Sequence, residues 1–107
     1  MKLAAEQLKT YRSLIAEEAS HAYRSGDKNA VSWCDGNLWK EYSANSAIGR
    51  QIYASFTDKE LLELLREIAR RLGCKPTQKE VYCVYRSYLR KRFGNWPKAL
   101  QRAGLSK

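Results

Sequence analysis

Arg90-Lys91-Arg92-Phe93-Gly94-Asn95-Trp96-Pro97-Lys98-Ala99-Leu100-Gln101-Arg102-Ala103-Gly104-Leu105 is the stretch that decides how this chain is read. A run of cations passes into an aromatic, a glycine and an indole, and then into a short amphipathic segment. Gly94 is a helix stop, because a left-handed residue costs glycine little. Asn95 can accept an orphan amide of the next helix, with Trp96 and Pro97 in the first turn, where the missing N–H of proline does no harm. Leu100 and Ala103 then face inward, and Gly104-Leu105 closes the element. The stretch predicts helix, tight turn and helix, with the positive charge outside.

Just upstream, Thr77-Gln78-Lys79-Glu80 after Pro76 is a capping box, in which side chains satisfy the orphan amides of a helix start. No Gly or Pro occurs from Thr77 to Phe93. The segment therefore fits either one helix of about four turns or two shorter ones. Strand-preferring Tyr82-Cys83-Val84-Tyr85 is the candidate break. Helical spacing points Tyr85, Tyr88, Leu89 and Phe93 inward and puts Arg86, Ser87, Arg90 and Lys91 on one outer face. Further back, Thr57-Asp58-Lys59-Glu60 is another capping box, flanked by Phe56 and Leu61 at the two positions of a hydrophobic staple. Leu61, Leu64, Leu65, Ile68 and Leu72 form the expected buried stripe, Glu67 can reach Arg70 and Arg71, and Gly73 ends the helix.

The first half is less sharply written. A helix over residues 2 to 24 is expected, with Ala4, Leu8, Tyr11, Ile15, Ala19 and Ala22 on one face and Gly26 as its stop. Asp35-Gly36-Asn37 is turn chemistry, so residues 27 to 45 should hold two short pieces. Residues 46 to 56 look helical, with Ile48, Ile52 and Phe56 on one side. Trp33, Trp39, Tyr42 and Tyr53 are expected in the core, since a few large rings fill a small interior. Two regions follow, 1–55 and 56–107. A unit of about 50 residues buries too little surface to be robust alone. The first region is thus expected to pack on the second, and a 56–107 fragment to melt lower than the whole chain.

With 44% hydrophobic and 29% charged residues the chain has the material for a packed core. No apolar run is long enough to span a bilayer, and the charged start is unlike a signal peptide. Cys34, Cys74 and Cys83 are an odd and scattered set, so reduced thiols and a cytoplasmic location are expected. The net charge is +9, and it is unevenly spread. Residues 1–55 carry a net +1, residues 56–74 balance, and residues 75–107 hold nine Lys/Arg against Glu80 alone.

The residues Leu61-Leu62, Leu65-Arg66-Glu67-Ile68-Ala69, Arg71-Leu72-Gly73, Pro76-Thr77 and Glu80 resemble a known family, the homing endonuclease-associated repeat. Lys91-Arg92-Phe93-Gly94-Asn95-Trp96, Ala99-Leu100 and Ala103-Gly104-Leu105 carry the resemblance on. It covers about half the chain, from Thr57 to Leu105. The resemblance implies a compact helical fold of helix-turn-helix type, found beside HNH nucleases and other DNA-processing domains, with a role in holding DNA and a mobile-element context. The segment from Glu80 to Lys91 departs from it, being shorter and without the Gly/Pro turn.

The residues support the same direction by their chemistry. Charge runs are usually solvated surface. Here the cations sit among Gln78, Ser87 and Asn95 without compensating acids, a pattern suited to phosphate contact. Arg86, Ser87, Arg90 and Lys91 are expected in or along a major groove, with Lys75, Thr77, Lys79 and Lys98 on the backbone; Gln78, Arg92 and Asn95 complete the expected DNA-binding set. Neutralising about six phosphates would lower affinity on the order of a thousandfold between about 50 and 200 mM salt. Catalysis has little to work with. An HNH-type nuclease needs a histidine base with metal-holding partners, and His21 stands alone in a predicted helix. Cys34, Cys74, Cys83 and His21 lack the close pairs of a zinc module. The expectation is an all-α, non-enzymatic protein without cofactor or metal, in which a helix-turn-helix-like second half binds duplex DNA. The competing class is a helical interaction module for an acidic protein; RNA is a third partner the sequence does not separate from DNA.

Overall fold

Helix α1 (Ala5–Ser25) opens with Gln7 Oε1 accepting the Ala4 N–H at 2.8 Å and stops at Gly26, whose φ of 72° is left-handed. The face drawn from the sequence is the one that packs except at Ala4, which is exposed ahead of the first turn: Ile15, Ala19 and Ala22 are buried, and Leu8 and Tyr11 lie against the same core. In this computed structural model residues 2–32 and 36–105 are described, without the side chains of 36–38, and Trp33 and Cys34 therefore fall outside it. Short helices α2 (Lys28–Ser32) and α3 (Gly36–Tyr42) follow, then α4 (Ala47–Ser55), whose first turn is capped by Ser46 Oγ accepting the Gly49 N–H at 2.8 Å.

Helix α5 (Asp58–Leu72) is started by the capping box: Thr57 Oγ1 accepts the Glu60 N–H at 3.1 Å, and Glu60 Oε1 accepts the Thr57 N–H at 2.9 Å. Such a cap is worth about 1 kcal/mol. Phe56 and Leu61 are both buried, as the staple requires, and Gly73 ends the helix at φ 73°. The buried stripe differs from the expected one at four positions. Leu62 and Ala69 join it, Leu64 is only partly buried, and Leu72 is 40% exposed in the last turn, where the helix end is open to water. On the wet side Arg70 reaches Glu63 at 2.9 Å and also bonds Glu67, while the Arg71 side chain enters no ion pair with it.

The stretch after Pro76 is two pieces. Glu80 Oε1 accepts both the Thr77 N–H and its hydroxyl, at 2.9 and 3.0 Å, yet only one 3-10 turn forms, Gln78–Glu80. Val81 and Tyr82 are extended and buried, so core insertion wins over continuing the helix. Tyr82 N–H donates to Tyr23 Oη at 2.8 Å. Burial pushes the Tyr23 phenol up to about 12, so it stays protonated. Helix α6 (Cys83–Phe93) then buries Tyr85, Tyr88, Leu89 and Phe93. Gly94, at φ 94°, turns the chain into α7 (Trp96–Arg102), capped by Asn95 Oδ1, which accepts the Lys98 N–H at 2.9 Å. Trp96 is buried and donates Nε1–H to Pro76 O at 3.2 Å.

Among the described residues the protein is all-helical, with no strand and no helix long and apolar enough to cross a membrane. One hydrophobic cluster runs from Ile15 to Ala103, so the first half packs on the second rather than beside it. Tyr88 stands at the junction. Its hydroxyl donates to Tyr42 O at 2.6 Å, and the rings of Tyr53 and Phe56 tilt onto it at 5.8 and 5.9 Å. Each such ring pair adds about 1 kcal/mol beyond area burial. Cys74 is a free, exposed thiol, but Cys83 is disulfide-bonded, which corrects the expectation of reduced thiols and removes that support for a cytoplasmic location.

Candidate functional site

Helix α6 buries its tyrosine face and so must present the opposite one, and that face forms the floor of a groove of about 740 Å³. One wall is α3 and the link to α4, through Trp39 and residues 43 to 45; the other is the 3-10 turn, through Gln78 and Lys79, with Ser32 at the end of α2. Of the eleven sequence-predicted contact residues, six line this groove: Gln78, Lys79, Arg86, Ser87, Arg90 and Lys91. Among its described lining residues four are cations and none is an acid.

The four are not held alike. Arg86 is half-buried and donates from Nη2 to Ser32 O at 3.1 Å and from Nη1 to Gln78 O at 3.4 Å. Lys91 Nζ donates to Ala44 O at 3.2 Å. Ser87 Oγ donates to Val84 O at 2.6 Å and accepts the Ala44 N–H at 3.2 Å. Three of the four residues expected to read bases are thus tied to backbone, two of them by positive charge on carbonyls of the first half. The side chains of Lys79 and Arg90 are exposed and enter no hydrogen bond or ion pair among the described residues.

The cations are anchored without being neutralised. Carbonyls are neutral acceptors, and a guanidinium has about five donors while an ammonium has about three, so Arg86 and Lys91 keep donors to spare. Burial, and then the charge of Arg90 one helical turn away, hold the Arg86 pKa below its ordinary value. Two like charges on one helix face without a carboxylate between them form a site that an anion relieves.

The other expected residues lie elsewhere. Arg92 does not line the groove and is held by protein groups: Nη2 donates to Tyr53 O at 3.1 Å and Phe56 O at 3.0 Å, Nε donates to Tyr53 Oη at 3.2 Å, and Nη1 pairs with Asp58 at 2.7 Å. Its guanidinium closes the carboxyl end of α4, where a cation suits the helix dipole. Thr77 and Asn95 spend their side chains on caps. Lys75 lies beside Arg66, Arg70 and Cys74 on a separate shallow surface, and Lys98 projects near Gly94.

Two residues that matter were not singled out by the sequence. Trp39, expected in the core, is 39% exposed and lines the groove. Gly49 allows the α3–α4 link to close, since a Cβ there would meet Ser43 O at 1.8 Å and Tyr42 O at 2.6 Å. A glycine inside the helical pattern Ile48-Gly49-Arg50 was the signal, because glycine there costs about 1 kcal/mol and needs a packing reason.

Among the described residues no cluster of His, Cys, Asp or Glu could hold a metal ion, and His21 is exposed on α1, 4.0 Å from Glu17. Comparison of the chain with curated proteins and with solved structures gives no match. Residues 56–106 match the homing endonuclease associated repeat, the stretch that supplies α5, the 3-10 turn, α6 and α7. The floor and one wall of the groove are thus built from the stretch that is similar to the homing endonuclease associated repeat.

Proposed function

We propose that the protein is a non-enzymatic DNA-binding module whose groove between α3, the 3-10 turn and α6 takes the phosphate backbone. The observation that carries this is the gathering of Lys79, Arg86, Arg90 and Lys91 around one concavity with no acid among its described lining residues. The match of residues 56–106 to a repeat associated with homing endonucleases supports a DNA partner. Backbone contact is favoured over base reading by α6 in a major groove, because Arg86, Ser87 and Lys91 are committed to protein carbonyls and amides.

The test is fluorescence anisotropy of a labelled random DNA across a salt series. Four neutralised phosphates lower affinity about a hundredfold between about 50 and 200 mM salt. Arg90→Glu should weaken binding by about tenfold or more, whereas Lys9→Glu on exposed α1 should change it less than about threefold. A flat salt response, or equal effects of the two variants, refutes the reading. Polyglutamate bound as tightly as DNA, with the same dependence on Arg90, would reassign the groove to an acidic protein partner.

A further inference from the structure

An indole 39% exposed in a small protein with a filled aromatic core calls for an explanation, because Trp is among the side chains that gain most from burial. Trp39 does not stand in the open. It lines the same groove as Arg86, Arg90 and Lys91, together with Asn45 and Lys79. Its helix turns the neighbouring aromatic the other way: Tyr42 is buried against Tyr11, with ring centroids 5.7 Å apart. The core is thus closed without Trp39.

An apolar ring beside several cations is the arrangement that recognises an unpaired base with its phosphates: the ring takes the base face and the cations take the backbone. A paired base keeps its faces against its neighbours in the duplex and offers none to a protein ring. The groove, about 740 Å³, is in the range of sites that enclose a nucleotide-sized ligand. Resting on the DNA-binding reading above, we infer that the groove takes single-stranded DNA, with one base stacked on Trp39 and the flanking phosphates on Lys79 and Arg90.

The experiment compares oligothymidylate of about twelve nucleotides with a duplex of equal length, by anisotropy and by quenching of intrinsic tryptophan emission. Wild type should bind the single strand about tenfold more tightly than the duplex, with quenching of the indole. Trp39→Ala should lose about tenfold in single-strand affinity and most of the quenching, leave duplex affinity within about twofold, and keep the wild-type melting temperature because the side chain closes no core. Trp39→Phe should recover most of the single-strand affinity, which a general loss of structure would not allow.

Equal binding of the two DNA forms, unaffected by Trp39→Ala, overturns the stacking inference while leaving the phosphate groove intact. Absence of binding to either form, or binding indifferent to Arg90→Glu, overturns the DNA-binding reading itself. An oligouridylate preferred over oligothymidylate by more than about tenfold would overturn the assignment to DNA.

Discussion

Replacing Arg92 by alanine should unfold the protein more than it weakens any ligand. The side chain is 19% exposed and bridges α6 to the end of α4 through Tyr53 O, Phe56 O and the Tyr53 hydroxyl. Each carbonyl bond from a charged donor contributes about 1.5 kcal/mol at the low end of the usual range. The ion pair with half-exposed Asp58 adds little, and stacking over Tyr53, with the guanidinium carbon 4.6 Å from the ring centre, adds about 0.5 kcal/mol. The total is about 3.5 kcal/mol, or a melting temperature lowered by roughly 14 °C for a domain of this size. Arg92→Lys keeps the charge but has no planar fork to span two carbonyls, so it should recover only about 1 kcal/mol. Urea unfolding followed by circular dichroism measures both, with the denaturant slope unchanged. If Arg92→Ala unfolds within about 0.5 kcal/mol of wild type while its DNA affinity falls, the side chain is a ligand contact and the structural assignment is wrong.

Gly49→Ala should cost at least about 2 kcal/mol, because the new methyl would collide with the backbone oxygens of Ser43 and Tyr42, which cannot swing aside, as well as with the Ser46 hydroxyl; the same urea experiment checks it, and a change below about 0.5 kcal/mol would contradict the close approach. The Glu60 carboxyl is held below its ordinary pKa, first by its bond from Arg12 and then by the Thr57 N–H. A depressed folded-state pKa contributes stability that is present above the unfolded value and is lost as pH falls through the folded one. Glu60→Gln should therefore be less stable than wild type at neutral pH, and the gap should narrow as acid titrates the depressed Glu60 carboxyl; a gap that stays constant through acid titration would exclude this linkage.

Local rules were enough to place α5 and α7, because their signals lie within a few residues. Thr57 and Glu60 cap each other, Gly73 turns left-handed, and Asn95 and Pro97 set the start of α7. The second capping box obeyed the same chemistry but yielded a single 3-10 turn. Val81 and Tyr82 are claimed by the core, and burial at that point outweighs a propensity worth tenths of a kilocalorie per residue. Trp39 was misplaced because α3 spans only seven residues, too few turns for periodicity to say which of its aromatics faces in. Arg92 looked like its neighbours Arg90 and Lys91. Its partners are carbonyls 36 and 39 residues away, and main-chain acceptors leave no mark in the sequence. The six residues brought together around the groove were readable because they share one helix face and the turn before it; the wall opposite them was not.

That opposite wall has a consequence for when the protein can act. Lys91 grips Ala44, Arg86 grips Ser32, and Tyr88 grips Tyr42, so the cleft exists only after segments synthesised more than forty residues apart have met. A nascent chain that has made α3 but not α6 holds the indole of Trp39 without Arg86, Arg90 and Lys91. On the proposed reading, a grip on DNA phosphates would arise only on completion of the fold, and an occupant that bridges the two walls would in turn delay their parting.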